Sequence, residues 1–357
     1  MLSTRFPLFP FLCCFLLCTC VRAPLLHAQI GLSEANVESV QEAANLRVFA
    51  SPGVRNRSQS RGVVIRYETQ PKYNWRVDSE TRLAGGREQI SHLEQFTFKF
   101  KIPLVNRPNT KVLLGYEWDT EKYFFDNPYE NQPEPTFFQL LDERRLKQNK
   151  LSAYVTRSFD ERFYGTARLR LSLNGDYQGL IDFADIYRNY SAGVGFGKKI
   201  SADEEWAVGL TASYNELRFI ALPFFLWNKT FTDNFGMELG LPAQAFLRWN
   251  VGSDKKNSFL FGPKFESKFY AINKDRREDF EELGRFFLRR NGLRFQIQYE
   301  HNLAPWVWAF GQGGYYLPWN ARFNQDIDIE TDLDTTVGGR AFLRVGLFLA
   351  PPRDLIK

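Results

Sequence analysis

Apolar and polar positions alternate by two along most of this chain from about residue 62 onward. Phe96, Phe98, Phe100 and Ile102 alternate with Thr97, Lys99 and Lys101. In the stretch 163–173, Phe163, Gly165, Ala167, Leu169, Leu171 and Leu173 face one way, while Tyr164, Thr166, Arg168, Arg170 and Ser172 face the other. The same rhythm recurs in 206–215, 293–300 and 340–349. Such alternation, rich in β-branched and aromatic residues, marks a half-buried β-strand. Strands are expected near 62–70, 92–103, 110–119, 148–157, 163–174, 188–199, 205–215, 218–228, 235–241, 243–251, 257–272, 288–300, 305–316 and 337–349. The fold class is therefore all-β, with about fourteen strands, or twelve if the short hairpin at 235–251 does not span.

The connections separate two architectures. A soluble sandwich has loops of similar length at its two ends, whereas an outer-membrane barrel has short turns at one end and long loops at the other. Here short connections at 106–110, 158–162, 201–205, 229–234, 252–257 and 301–304 alternate with long ones at 72–89, 120–147, 175–188, 273–288 and 317–337. Two tips on the long side, near Asn215–Glu216 and Leu241–Pro242, are tight. The pattern predicts a transmembrane antiparallel β-barrel over 62–357. Its apolar face meets outer-membrane lipid and its polar face lines a lumen.

The first 28 residues read differently. Arg5 precedes an apolar run from Phe6 to Val21, and Leu26-His27-Ala28 before Gln29 resembles a secretory cleavage site. We read 1–28 as a signal peptide and 29–61 as a periplasmic lead-in, with a short helix over 33–44 and a polar linker over 52–61. All four cysteines (Cys13, Cys14, Cys18 and Cys20) lie in the signal, so the mature chain has no thiol for a disulfide or a metal. The chain is 16% aromatic and its formal charge of +5 drops by two when Arg5 and Arg22 are removed. That charge is too mild to argue for nucleic acid. No other apolar run approaches the roughly 18 residues of a spanning helix. The localisation expected is the outer membrane of a Gram-negative bacterium.

Two sets of residues then carry functional expectations. Trp118, Trp206, Trp227, Trp249, Trp306 and Trp308 fall near strand ends, where an indole at the headgroup level keeps its N–H wet, and are read as an aromatic girdle. On the polar parity lie Arg66, Lys99, Lys101, Arg168, Arg170, Arg248, Lys264, Lys268, Arg294, Arg340 and Arg344, against Glu68, Glu117, Glu266 and Glu300. This basic lumen supports a passive channel or transporter for small anionic solutes. The alternative is a structural or adhesive surface barrel whose charges pair and fill it.

The signal, the strand rhythm and segments such as FGMELGLPAQAFLRWN (235–250) resemble a family of bacterial outer-membrane β-barrel proteins of unassigned function, of the type common in Bacteroidetes. The resemblance covers about 62–350 and implies insertion by the barrel assembly machinery. Many such barrels end on an aromatic residue, whereas this chain ends APPRDLIK, with Phe348 the nearest aromatic.

Catalytic patterns are sparse. There is no G-x-S-x-G, phosphate-binding glycine loop or H-E-x-x-H. GVGFG (193–197) reads as a small-residue strand face. His92 and His301 are the histidines beyond the signal, and no catalytic, metal or cofactor site is assigned. In Ser91-His92-Leu93-Glu94, His92 shares the parity of Phe96 and Ser91 faces away, which leaves an outer-membrane lipid hydrolase as a remote third reading. The acidic run DIDIETDLD (326–334) reads as a solvated loop extending a strand, and 273–288 as a short amphipathic helix at the barrel mouth.

Overall fold

The alternating segments pair into one closed wall. The computed structural model describes residues 53–58, 60–77, 86–126, 137–142, 144–215, 218–272, 286–325 and 332–351. In chain order the strands are β1 (Val63–Gln70), β2 (Tyr73–Val77), β3 (Gly86–Arg107), β4 (Thr110–Phe125), β5 (Arg145–Ser158), β6 (Phe163–Gly175), β7 (Arg188–Lys199) and β8 (Glu204–Tyr214). They continue as β9 (Phe219–Thr230), β10 (Phe235–Leu241), β11 (Gln244–Val251), β12 (Asn257–Ile272), β13 (Phe286–Ala304), β14 (Val307–Gln325), β15 (Asp332–Val337) and β16 (Arg340–Leu349). A helix α1 (Phe137–Asp142) and a single 3-10 turn at Asp185–Tyr187 complete the described elements.

Sixteen segments build a fourteen-strand barrel. β1 and β2 lie on β3 in one register, with Val63 opposite Phe100 and Tyr73 opposite Ile90. β16 and β15 likewise share one register on β14, with Leu349 opposite Val307 and Thr335 opposite Ala321. Each pair is one long strand broken once, at Pro71–Lys72 and at Gly338–Gly339. A proline has no N–H to give to a ladder, which makes such a break natural. β1 on β16 and β2 on β15 close the seam. The twelve-strand alternative falls because β10 and β11 pair with each other and with β9 and β12.

Several strands run well past the sequence boundaries: β3 has 22 residues and β13 and β14 have 19 each, whereas β10 has 7 and β11 has 8. β3 and β13 are longer at both ends, and β14 is longer at the long-loop end. Above the short strands β6 and β12 touch, with Ala271 beside Gly175 in a parallel contact. A Cβ on Gly175 would collide with the Tyr187 ring and the Ala271 carbonyl, so only glycine allows the approach. Tyr177, Ile186 and Tyr187 pack there with Leu173 and Phe287, so the segment 175–188, expected as a long connection, is folded against the wall.

Exposure separates the two faces. Leu169, Val194, Ile297 and Leu343 are 57–62% exposed, whereas Glu68 and Arg294 are 1% exposed. The outside is an apolar band and the inside is packed, as in a transmembrane barrel. The expected signal, the helix at 33–44 and the run Asp326–Glu330 lie outside the described residues. So does 273–285 of the expected amphipathic segment; Phe286, Phe287 and Leu288 open β13 instead.

Candidate functional site

The barrel interior is filled in three layers. At the long-loop end it is apolar: Trp75 of β2, Tyr123 of β4, Leu146 of β5, Tyr270 of β12 and Phe286 of β13 surround Phe138 and Leu141 of α1. Ring centroids lie 5.7 Å apart for Trp75–Tyr123 and 6.4 Å for Trp75–Phe138. Arg340, one of the expected lumen bases, is stacked here between Tyr73 and Tyr316, 4.1 and 4.5 Å from their ring centroids, and donates to Gln70. Cations over aromatic faces gain from the ring quadrupole.

The middle layer is ionic. Glu68 accepts from Arg294 at 2.8 Å and from Arg344 at 2.7 Å, although β1 and β13 are not neighbours in the wall. Arg294 also pairs with Glu266. Glu117 holds Lys99 at 2.8 Å and Lys150 at 2.9 Å, and Arg66 reaches Asp119 at 3.5 Å. Glu121 pairs with Lys268 and Arg290. Buried ions persist only when each is matched and hydrogen-bonded.

The short-turn end is closed by the chain itself. Residues 53–58, 60 and 61, expected as part of a polar linker, lie across the mouth and bond to its wall. The Gly53 N–H donates to Glu205 at 2.5 Å, Arg55 pairs with Asp203 at 2.7 Å, and the Ser58 N–H and Oγ donate to Glu238 at 2.9 and 2.7 Å. Glu238 also pairs with Arg248 at 3.0 Å. Asn56, at φ 57, turns the segment, with its carbonyl accepting from Asn250 and its side chain from Lys255. Arg61 pairs with Glu300 and lies over the Phe310 and Phe348 rings, 5.0 and 4.7 Å from their centroids. Asp203 stands in the turn before β8; the hydrogen bond and charge of Arg55 hold its carboxyl below the usual range.

Between the middle layer and this floor lies a chamber of about 200 Å³. Ser58 and Arg61 form its floor side; Arg66, Lys264 and Arg344 contribute cations; Gln244, Gln296, Gln298 and Gln312 contribute amides.

Several sequence expectations change here. The excess of base over acid was counted without Asp119, Glu121, Glu205 and Glu238, which all face inward and are buried. Asp119 and Glu121 continue the parity of Glu117, so extending that strand would have found them. Lys101, Arg168, Arg170 and Lys264 have no ion-pair partner among the described residues. Arg170 donates to Ser152 at 3.0 Å and Tyr154 at 3.4 Å, Arg168 reaches Thr211 at 3.5 Å, and Lys101 lies 5.1 Å from the Tyr154 ring centroid. Trp308 is no girdle residue: it is 4% exposed, inside the barrel against Phe348. Its parity is that of Phe310 and Gln312, which are also buried. Trp206 and Trp227 face each other at the short-turn end, where Trp249 and Trp306 are also half exposed. Trp118 sits mid-strand in β4, as the last apolar outward residue before Thr120 and Lys122.

A further correction concerns Ser91. A bulge between Ile90 and His92 turns its Oγ to 3.1 Å from His92 Nδ1. Its single hydroxyl proton goes to the Phe124 carbonyl at 3.0 Å, and His92 stacks on Phe124 with centroids 4.2 Å apart. Glu94, 4.0 Å from His92, accepts instead from Tyr67.

No family model matches the chain, and no curated protein matches it. Among solved structures, it is similar to a Pseudomonas aeruginosa FadL homologue at 8% identity, covering 80% of this chain and 90% of that one, with a TM-score of 0.38. An outer membrane channel from Pseudomonas putida F1 is similar at 8% identity over 84% and 99% of the two chains, with a TM-score of 0.33. Outer membrane phospholipase A from Escherichia coli shows 10% identity over 85% and 95%, with a TM-score of 0.35. At such similarity no function passes from these proteins to this chain.

Proposed function

We propose that the protein is an outer-membrane barrel of a Gram-negative bacterium that stands closed: a membrane scaffold whose interior is a packed core and whose long loops face outward. The short-turn end with residues 53–61 is then periplasmic. The observation that carries this reading is the obstruction at three levels, by α1, by the Glu68 network and by the floor residues Gly53 to Arg61, with one chamber left above that floor. Contacts with lipid follow from the apolar outer face, and insertion would fall to the barrel assembly machinery. The test is planar-bilayer recording on the purified full-length barrel. The expected result is no conductance step at any applied voltage; a stable, ion-selective conductance overturns it.

A second reading, passage of small anions in another state of the same barrel, is favoured by one observation. Lys101, Arg168 and Arg170 line the interior wall without carboxylate partners among the described residues. A steady conductance that prefers anions, and loses that preference in Arg170→Gln, would establish it.

A further inference from the structure

The chamber above the floor segment has a chemistry that the closed scaffold does not need. Its cations are Arg61, Arg66, Lys264 and Arg344, and its acid is Glu238. Glu238 is already taken by Ser58 and Arg248, Arg61 by Glu300, and Arg344 by Glu68. Lys264 is the cation left over: it lines the chamber and has no hydrogen bond or ion pair among the described residues. An enclosed amine with no hydrogen bond or ion pair is costly to hold as a cation, so a barrel meant only to be filled would be better served there by an apolar side chain.

The amides add a second, independent sign. Gln312 uses its Oε1 to accept from Arg344 at 3.0 Å, which fixes the orientation of the amide, and its buried Nε2 then has no acceptor. Gln296, also lining the chamber and 8% exposed, leaves its Oε1 without a donor. Buried amide atoms are rarely orphaned, and each one without a partner asks for an explanation. A spare amine and a spare N–H donor on residues that line one chamber are the recognition chemistry of an oxyanion. The volume of about 200 Å³ has room for such an ion together with water.

We propose that this chamber is a binding site for a small free oxyanion of the phosphate, sulfate or carboxylate class. Lys264 supplies the charge, Gln312 an N–H, and Arg61 with Ser58 the lid. The proposal rests on the closed-barrel reading, because the floor segment is what encloses the ion. Release of residues 53–61 is then the step that admits or frees it.

The experiment is titration of inorganic phosphate into the full-length barrel in detergent, followed by calorimetry against chloride at matched ionic strength. Sulfate and acetate are run as separate arms. Saturable binding of one phosphate per chain is expected, at least tenfold weaker in Lys264→Gln and unchanged in Arg157→Gln, an exposed base outside the lumen. Both variants are first checked for the heat-dependent gel shift of a folded barrel. Should Lys264→Gln fail that check, Gln312→Leu takes its place with the same expected loss. Equal phosphate affinity in native and variant protein would overturn the site. So would the absence of saturable binding both in native protein and in Arg61→Ala, where the lid is loosened. Bilayer recording separates the two failures: conductance with phosphate binding sinks the closed reading alone, and silence without binding sinks the site alone.

Discussion

The two ends of the barrel interior are filled by opposite means. Around α1 the filling is rings and aliphatic chains, whose contribution grows with buried area and tolerates small shifts. From Glu68 down to Glu300 it is mostly matched charge, where Glu68, Arg294, Arg344 and Glu300 each depend on a named partner across the lumen. The first kind needs a full volume, whereas the second needs a complete list of partners. That difference predicts how each end fails. Glu68→Gln, which leaves Arg344 without a carboxylate and Arg294 with Glu266 alone, should cost about 3–5 kcal/mol, the penalty for unpairing a buried charge. Glu68→Leu combined with Arg294→Met should cost less than Glu68→Gln alone. Phe138→Ala at the apolar end should cost about as much as Glu68→Gln, near 3–5 kcal/mol, but no partner substitution should relieve it. Urea unfolding in lipid vesicles measures all three. A double replacement as damaging as the sum of its parts would erase the distinction.

The outer face sharpens the comparison by reversing the solvent. Leu169 is 59% exposed and points at lipid, while Arg170 turns inward to Ser152 and Tyr154. An arginine near the midplane of a barrel's lipid face costs about 2–4 kcal/mol. Leu169→Arg should therefore impair vesicle folding by that amount, and Arg170→Gln should fold nearly as the native chain does. The opposite ranking would mean that the strand parity is inverted.

The smallest effect lies at the floor. The Asp203 carboxyl is held low by Arg55, so the tie is complete above the ordinary aspartate range near 4 and is lost as pH falls through the depressed value. Hydrogen exchange at the Arg55 amide, which donates to the Ala202 carbonyl at 2.8 Å, reports the tie. Protection is expected to drop below about pH 4 in native protein and to be low at neutral pH in Asp203→Asn. Protection that ignores both changes would show that other contacts hold the segment.

How much of this was legible depends on what each signal encodes. Alternation by two encodes a wall, and from it the strand number followed. It stops encoding anything at a bulge, which is why Ser91 turned out beside His92. Polar composition does not separate a solvated linker from one that bonds inside a charged mouth, so Arg55, Ser58 and Arg61 passed as linker. α1 is six residues, FFQLLD, too short for a helical period, and its apolar side chains looked like any loop. Trp308 was misjudged from its place at a strand end, although the parity it shares with Gln312 pointed inward. The pairing of Glu68 with Arg294, 226 residues apart, is a matter of closure geometry that no local pattern carries.

The short hairpin β10–β11 has a consequence for the surrounding bilayer. A strand of 7 residues extends about 23 Å at roughly 3.3 Å per residue, and tilt lowers its height further. Its outward residues Phe235, Met237, Leu239 and Leu241 therefore match a shorter stack of acyl chains than the roughly 25 Å belt of an ordinary barrel. Lipids on that side must thin or splay to meet it, at fractions of a kcal/mol per ångström of mismatch. The barrel thus imposes a direction on its membrane, with a compliant, thinned sector on the flank of β10 and β11 and thicker lipid around the seam.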